Sequence, residues 1–124
     1  MLEWYRAGAD VIFHASGQTG AGVFQAAREH KTWVIGVDSD QYHEAPCCVL
    51  TSMVKGVDVV VVDAVRQVVE GRFRGGIVEL GLAQKGVDYV FDQRNQERIP
   101  RAVRERVEGL RAAIIAGTIE VPTE

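Results

Sequence analysis

Gly17, Thr19, Gly20 and Gly22 gather in a small-residue loop between an apolar run, Val11 to Phe13, and a helix-like segment, Val23 to His30. Glycines let backbone approach a ligand closely. The helix start beyond them presents unpaired N–H groups that suit an anion or another acceptor. The spacing is not G-x-G-x-x-G and no G-K-[ST] follows, so neither nucleotide fingerprint is met. A plain tight turn fits this spacing as well as a ligand cradle. Asp38 closes a second apolar run, Trp33 to Val37. An ionised carboxylate there can accept two hydrogen bonds from the vicinal hydroxyls of a sugar; a turn-forming Asp in D-S-D fits the same position. Phe24 offers either a flat face for stacking or a ring for the core. Lys55, after a third apolar run, is either a charged donor at the same edge or a surface residue.

Other chemistry finds little support. His14, His30 and His43 have no metal-ligand spacing with one another or with Cys47 and Cys48, so no metal or cofactor is expected. His14, at a strand end, reads equally as polar site lining or as a satisfied buried histidine. Adjacent cysteines rarely meet disulfide geometry, so Cys47 and Cys48 read as two small residues entering a strand. No nucleophile–base pair and no pair of contrasting carboxylates is set up by local spacing. A non-enzyme is expected.

The elements that must position these residues follow from periodicity. The stretch Asp10 to Asp38 reads as strand, glycine-rich turn, helix and strand, a βαβ unit with parallel strands and a right-handed crossover. Both post-strand loops then emerge at one edge of the sheet, where open α/β sheets bind ligands. The continuous apolar first strand suits burial on both faces. Leu2 to Ala7 reads as a helix closed by Gly8. Ser39 to Pro46 is a loop and Cys47 to Met53 a third strand. Val57 to Gly71 reads as a helix despite its valines, because its polar residues leave an apolar side; a strand over Val57 to Val62 is the alternative. Ile77 to Leu82 reads as a fourth strand and Gly86 to Phe91 as a fifth, antiparallel at an edge. Pro100 fits the first position of a last helix, whose Val103, Val107, Leu110 and Ile114 form one stripe. The fold class expected is α/β: one domain with a parallel open sheet flanked by helices.

The chain has 124 residues, 47% of them hydrophobic and 25% charged, with a formal net charge of -3. This balance argues against nucleic acid as the main partner. No apolar run approaches the roughly 20 residues that span a bilayer. Met1 to Arg6 lacks the pattern of a signal peptide. A cytoplasmic location follows if Met1 is the native start, and an extracytoplasmic one if the chain comes from a longer parent.

Three ordered motifs, H-A-S-G-Q-T-G-A-G-V-F-Q-A-A (His14 to Ala27), G-V-D-S-D-Q (Gly36 to Gln41) and L-T-S-M-V-K-G-V-D (Leu50 to Asp58), resemble the basic membrane protein family. These are substrate-binding lipoproteins of ABC importers, purine nucleoside receptor A-like. G-I-V-E-L-G-L (Gly76 to Leu82) and the closing Ile99 to Pro122 resemble its later segments. The resemblance implies one lobe of a type I periplasmic-binding-protein fold, a purine nucleoside as small-molecule ligand and a permease as partner. It implies that Phe24 stacks on the base and Asp38 binds ribose hydroxyls. Lys55 would be a further polar contact, and the loop with Gly17, Thr19 and Gly20 would line the cleft; Asp40 is a weaker candidate. The match covers the second lobe without its first βα unit, there is no lipobox cysteine, and Gln18 stands where glycine is usual. Weak nucleoside affinity and a homo-oligomer are expected from such a lobe. Reuse of the lobe as a sensor or interaction domain is the alternative, with a small enzyme acting on a sugar or phosphate substrate behind it.

Overall fold

The computed structural model describes residues 2–122. The order is α1 (Leu2–Arg6), β1 (Val11–Phe13), α2 (Ala21–His30), β2 (Trp33–Gly36), β3 (Val49–Lys55), α3 (Val57–Val69), β4 (Val87–Tyr89) and α4 (Arg101–Ile115). Short 3₁₀ turns fill Gly17–Gly20 and Tyr42–Glu44. The strands form one open sheet in the order β1-β2-β3-β4. β1 runs parallel to β2, with Val11 opposite Trp33, and β2 parallel to β3, with a bulge between Val34 and Ile35. The Ser52 carbonyl accepts from the Val90 N–H and the Gly56 N–H donates to the Gly86 carbonyl, so numbering falls along β4 as it rises along β3. That is the antiparallel edge strand expected. The α/β class and open sheet expected from periodicity are therefore present.

The residues gather into two compact units, 2–54 with 89–99, and 55–88 with 100–122. The first holds the core: Tyr5, Ile12, Val23, Phe24, Ala26, Ala27, Val34, Ala45, Cys48 and Val49. Here α2 lays Val23, Phe24, Ala26 and Ala27 on the sheet, a stripe set by helical periodicity. Tyr5 ties α1 to β2 by donating its hydroxyl hydrogen to the Trp33 carbonyl at 2.8 Å. The buried Asn95 donates to the carbonyls of Leu50 (3.0 Å) and Val90 (2.8 Å), which fastens the 89–99 segment to β3. β1 is covered on one face only: Ile12 is 5% exposed while Phe13 is 55% exposed. The two-sided burial expected of it fails because α1 and α2 supply a single covering layer.

The second unit is built differently. Asp88 accepts a two-pronged ion pair from Arg111 at 2.7 and 3.0 Å. Gly86 allows a tight return, since a Cβ there would lie 2.1 Å from the Leu80 carbonyl oxygen. The strand expected at Ile77 to Leu82 is absent; the segment is irregular, and Ile77 is 97% exposed. An apolar run becomes a strand only where a neighbouring strand takes up its backbone groups. Pro100 stands just outside α4 as its N-cap. Cys47 and Cys48 also depart from expectation: their sulfurs are joined as a disulfide between chain neighbours.

Candidate ligand-binding site

Parallel pairing sends the chain out of β1 and β2 at the same sheet edge, so the His14–Gly20 loop and the Val37–Gln41 loop share it. Gly17 has φ +53, a conformation glycine adopts without cost, and a Cβ there would meet nothing within 4 Å. Thr19 is exposed, and its hydroxyl donates to the Ser16 carbonyl at 2.6 Å, which closes the turn. Gly20 is the N-cap of α2 and gives it no side-chain cap. The 3₁₀ turn at Gly17–Gly20 runs directly into α2, and Gly20 itself is helical, with φ -58 and ψ -24.

Gly20 has a second task. A Cβ on it would sit 2.4 Å from Cε1 of His14, so only glycine admits the imidazole. The ring is 4% exposed and meets the edge of Phe24 at 5.2 Å and 84°. Its Nδ1 lies 3.4 Å from the Ser16 hydroxyl, while Nε2 is buried without a hydrogen-bond partner. Burial lowers the His14 pKa below the usual imidazole value; Gln41 nearby and the negative charge of Asp38 oppose that shift without cancelling it. His14 is thus buried, with Ser16 and Gln41 as polar neighbours, and is not an open lining residue.

Asp38 is exposed and has φ 70, in the left-handed region. Its loop is braced from within. The Val37 N–H donates to Gln41 Oε1 at 2.7 Å, and the Gln41 N–H donates to the Ser52 hydroxyl at 3.1 Å. Gly36 is needed there too, because a Cβ would lie 2.6 Å from Ser52 Oγ. Asp40 turns away: one of its oxygens accepts from the Tyr42 N–H at 3.1 Å, the other from Arg94 at 2.6 Å. Arg94 also pairs with Asp92, holds that carboxyl below the usual carboxylate range, and lies over the Tyr42 ring at 4.7 Å. Asp40 is thus engaged in a structural clasp.

Gly17, Thr19, Gly20 and Asp38 therefore share one edge of the first unit. Phe24 does not supply a stacking face there. Its ring is 2% exposed and belongs to the core, because its place on α2 puts it on the sheet side with Val23 and Ala27. Lys55, the exposed last residue of β3, belongs to the second unit. Gln41 and Ser52, which hold the Asp38 loop, escape sequence reasoning; the only signal for Gln41 is its place in D-S-D-Q. Among the described residues no group of three or more His, Cys, Asp or Glu could hold a metal ion. No described helix is long and apolar enough to cross a membrane.

Comparison with known proteins gives these loops a context. The family model described as ABC transporter substrate-binding protein PnrA-like matches residues 2–124. The CD4+ T-cell-stimulating antigen of Listeria monocytogenes is 38% identical over 135 residues, covering 95% of this chain and 37% of that protein. The ABC transporter nucleoside-binding protein BmpA of Lactococcus lactis is 33% identical over 138 residues, covering 97% of this chain and 38% of its own length. An ABC transporter system solute-binding protein from Aeropyrum pernix superposes with a TM-score of 0.87 at 28% identity, over 99% of this chain and 43% of its own. This chain spans less than half the length of each.

Proposed function

We propose, from the premise that this chain belongs to the PnrA-like family of ABC-transporter substrate-binding proteins, that its first unit forms one wall of a purine-nucleoside site. The Gly17–Gly20 loop offers backbone that a ligand can approach closely, and the Asp38 carboxylate accepts from ribose hydroxyls. One observation carries this reading. The loop and Asp38 both bear on the same buried imidazole, the loop through Gly20 in contact with His14 and Asp38 through its charge. A shared neighbour keeps loop and carboxylate within reach of one small polar ligand. The relative named as nucleoside-binding supports the ligand class. Such a wall works with a permease outside the cytoplasm, as an importer's binding protein does. Phe24, whose ring is buried, has no part in this wall.

A complete pocket buries about 70–90% of a ligand. One wall buries about half, so affinity in the millimolar range, about -4 kcal/mol, is expected. The test is a heteronuclear NMR titration of the chain with guanosine, inosine, adenosine and cytidine, with Asp38→Ala alongside. Shifts at Gly17 to Gly20 and Asp38, larger for purines and lost in the variant, are expected. A folded protein with no shift for any nucleoside overturns the reading and leaves a sensor or interaction module in its place.

A further inference from the structure

Cys47 and Cys48 stand at the opposite end of the parallel strands from Asp38. They lead into β3 at Val49, and the Cys48 carbonyl accepts from the Val34 N–H at 2.9 Å, beside the start of β2. A disulfide stabilises a fold chiefly by closing a loop in the unfolded chain, and more so for a longer loop. One between chain neighbours closes almost no loop, so the role of a structural staple does not account for this pair. The two residues are also unequal. Cys47 is exposed, whereas Cys48 is 4% exposed and belongs to the core. The turn that carries them is pinned, because the Ala45 carbonyl accepts from the N–H groups of both Cys48 and Val49 at 2.9 Å.

Both cysteines border a cavity of about 340 Å³ together with Arg28, Lys31, Thr32 and Trp33, all within the first unit. Cations reach it from three places. Arg28 lies in the last turn of α2 and donates to the Glu44 carbonyl, Lys31 caps that helix, and Arg98 lies over the Trp33 ring at 5.5 Å. The acids nearby are engaged: Gln25 donates to Glu29 at 2.9 Å, and the Glu44 carboxylate lies 3.2 Å from the His43 ring. A cationic lining stabilises a departing thiolate and draws in a negatively charged reactant. We propose that Cys47–Cys48 is a thiol–disulfide exchange site that takes an anionic thiol. The incoming thiolate attacks the sulfur of the exposed Cys47. The Cys47–Cys48 bond breaks, and its electron pair goes to the Cys48 sulfur, which then takes a proton. A second thiolate attacks the reagent sulfur of the mixed disulfide and releases Cys47, which is protonated in turn. Two thiols become one disulfide, and the chain gains two hydrogens. The inference does not depend on nucleoside binding.

The test follows reduction of the folded chain by 2-mercaptoethanesulfonate, 2-mercaptoethanol and cysteamine, which are anionic, neutral and cationic thiols. Samples are quenched in acid, labelled with maleimide in denaturant and weighed by mass spectrometry, which counts the thiols released; circular dichroism checks that the chain stays folded. Rates are corrected for thiolate fraction and thiol basicity. No label before the reductant and two labels after it are expected. The anionic thiol should react about threefold faster than the neutral one, and the cationic thiol slowest, with the spread collapsing in high salt. Lys31→Gln should narrow that spread and leave the rate with the neutral thiol unchanged. Three outcomes overturn the inference: labelling without any reductant, release of thiols only from the denatured chain, or equal rates for the three thiols at low salt.

Discussion

The two units bury their valines in opposite ways. Val23, Val34 and Val49 of the first are sealed in a core with Phe24, whereas Val61, Val65 and Val68 of the second face outward. The residue type is the same and the helical periodicity equally clear, so periodicity states which side of a helix is apolar without stating what covers it. The first unit closes its stripe with its own sheet. The second holds its shape through polar and backbone devices, such as the Asp88–Arg111 pair and the tight approach at Gly86.

That contrast fixes the order of mutational effects. Phe24→Ala is expected to be the most damaging, costing about 3–5 kcal/mol by chemical denaturation, a large share of the stability of a small domain. Gly20→Ala comes next, at about 1–3 kcal/mol, because its methyl would overlap the His14 ring. His14→Ala in the same chain should recover part of that loss, and strict additivity in the double-mutant cycle would show that the ring is not the obstacle.

A smaller effect follows from His14 itself. Its pKa is lowered in the folded chain, first by burial, so the unfolded chain takes up the proton more readily. The neutral ring is accommodated above the ordinary imidazole pKa of about 6.5, and stability falls as pH drops from there through the lower folded value. Tm measured from pH 8 to pH 5 should show this fall, and His14→Gln should flatten it. Arg94→Ala removes an exposed clasp; its effect on Tm should be slight and should shrink in high salt. Val61→Ala is expected to change the stability of this chain by no more than about 0.5 kcal/mol. A loss near that of Phe24→Ala would mean that α3 has a buried face after all.

Much of the first unit is legible from residue order. The two apolar runs, the glycine loop between them and the short stripe of α2 all point to one βαβ arrangement, and it forms. The reading of Phe24 fails because a ring just inside a helix suits a core and a cleft equally; only the rotation of α2 about its axis decides. Ile77 to Leu82 misleads because strand formation depends on a partner that local sequence does not encode. Lys55 is expected just after the third strand but is its last residue, and the chain changes units there. His14 lies beyond reach for a subtler reason: its burial depends on the space that Gly20 leaves for it.

The backbone of Asp38 has a consequence for how this loop can drift. At φ 70 a β-branched or bulky residue is strongly disfavoured, while Gly, Asn and Asp are accommodated. The accessible alphabet at the position is close to three letters, and only one of them brings a negative charge. Gly would ease the backbone and Asn would keep the shape; either would erase the carboxylate in a single step. Position 38 is thus a place where a lineage can gain stability and lose its negative charge by the same substitution.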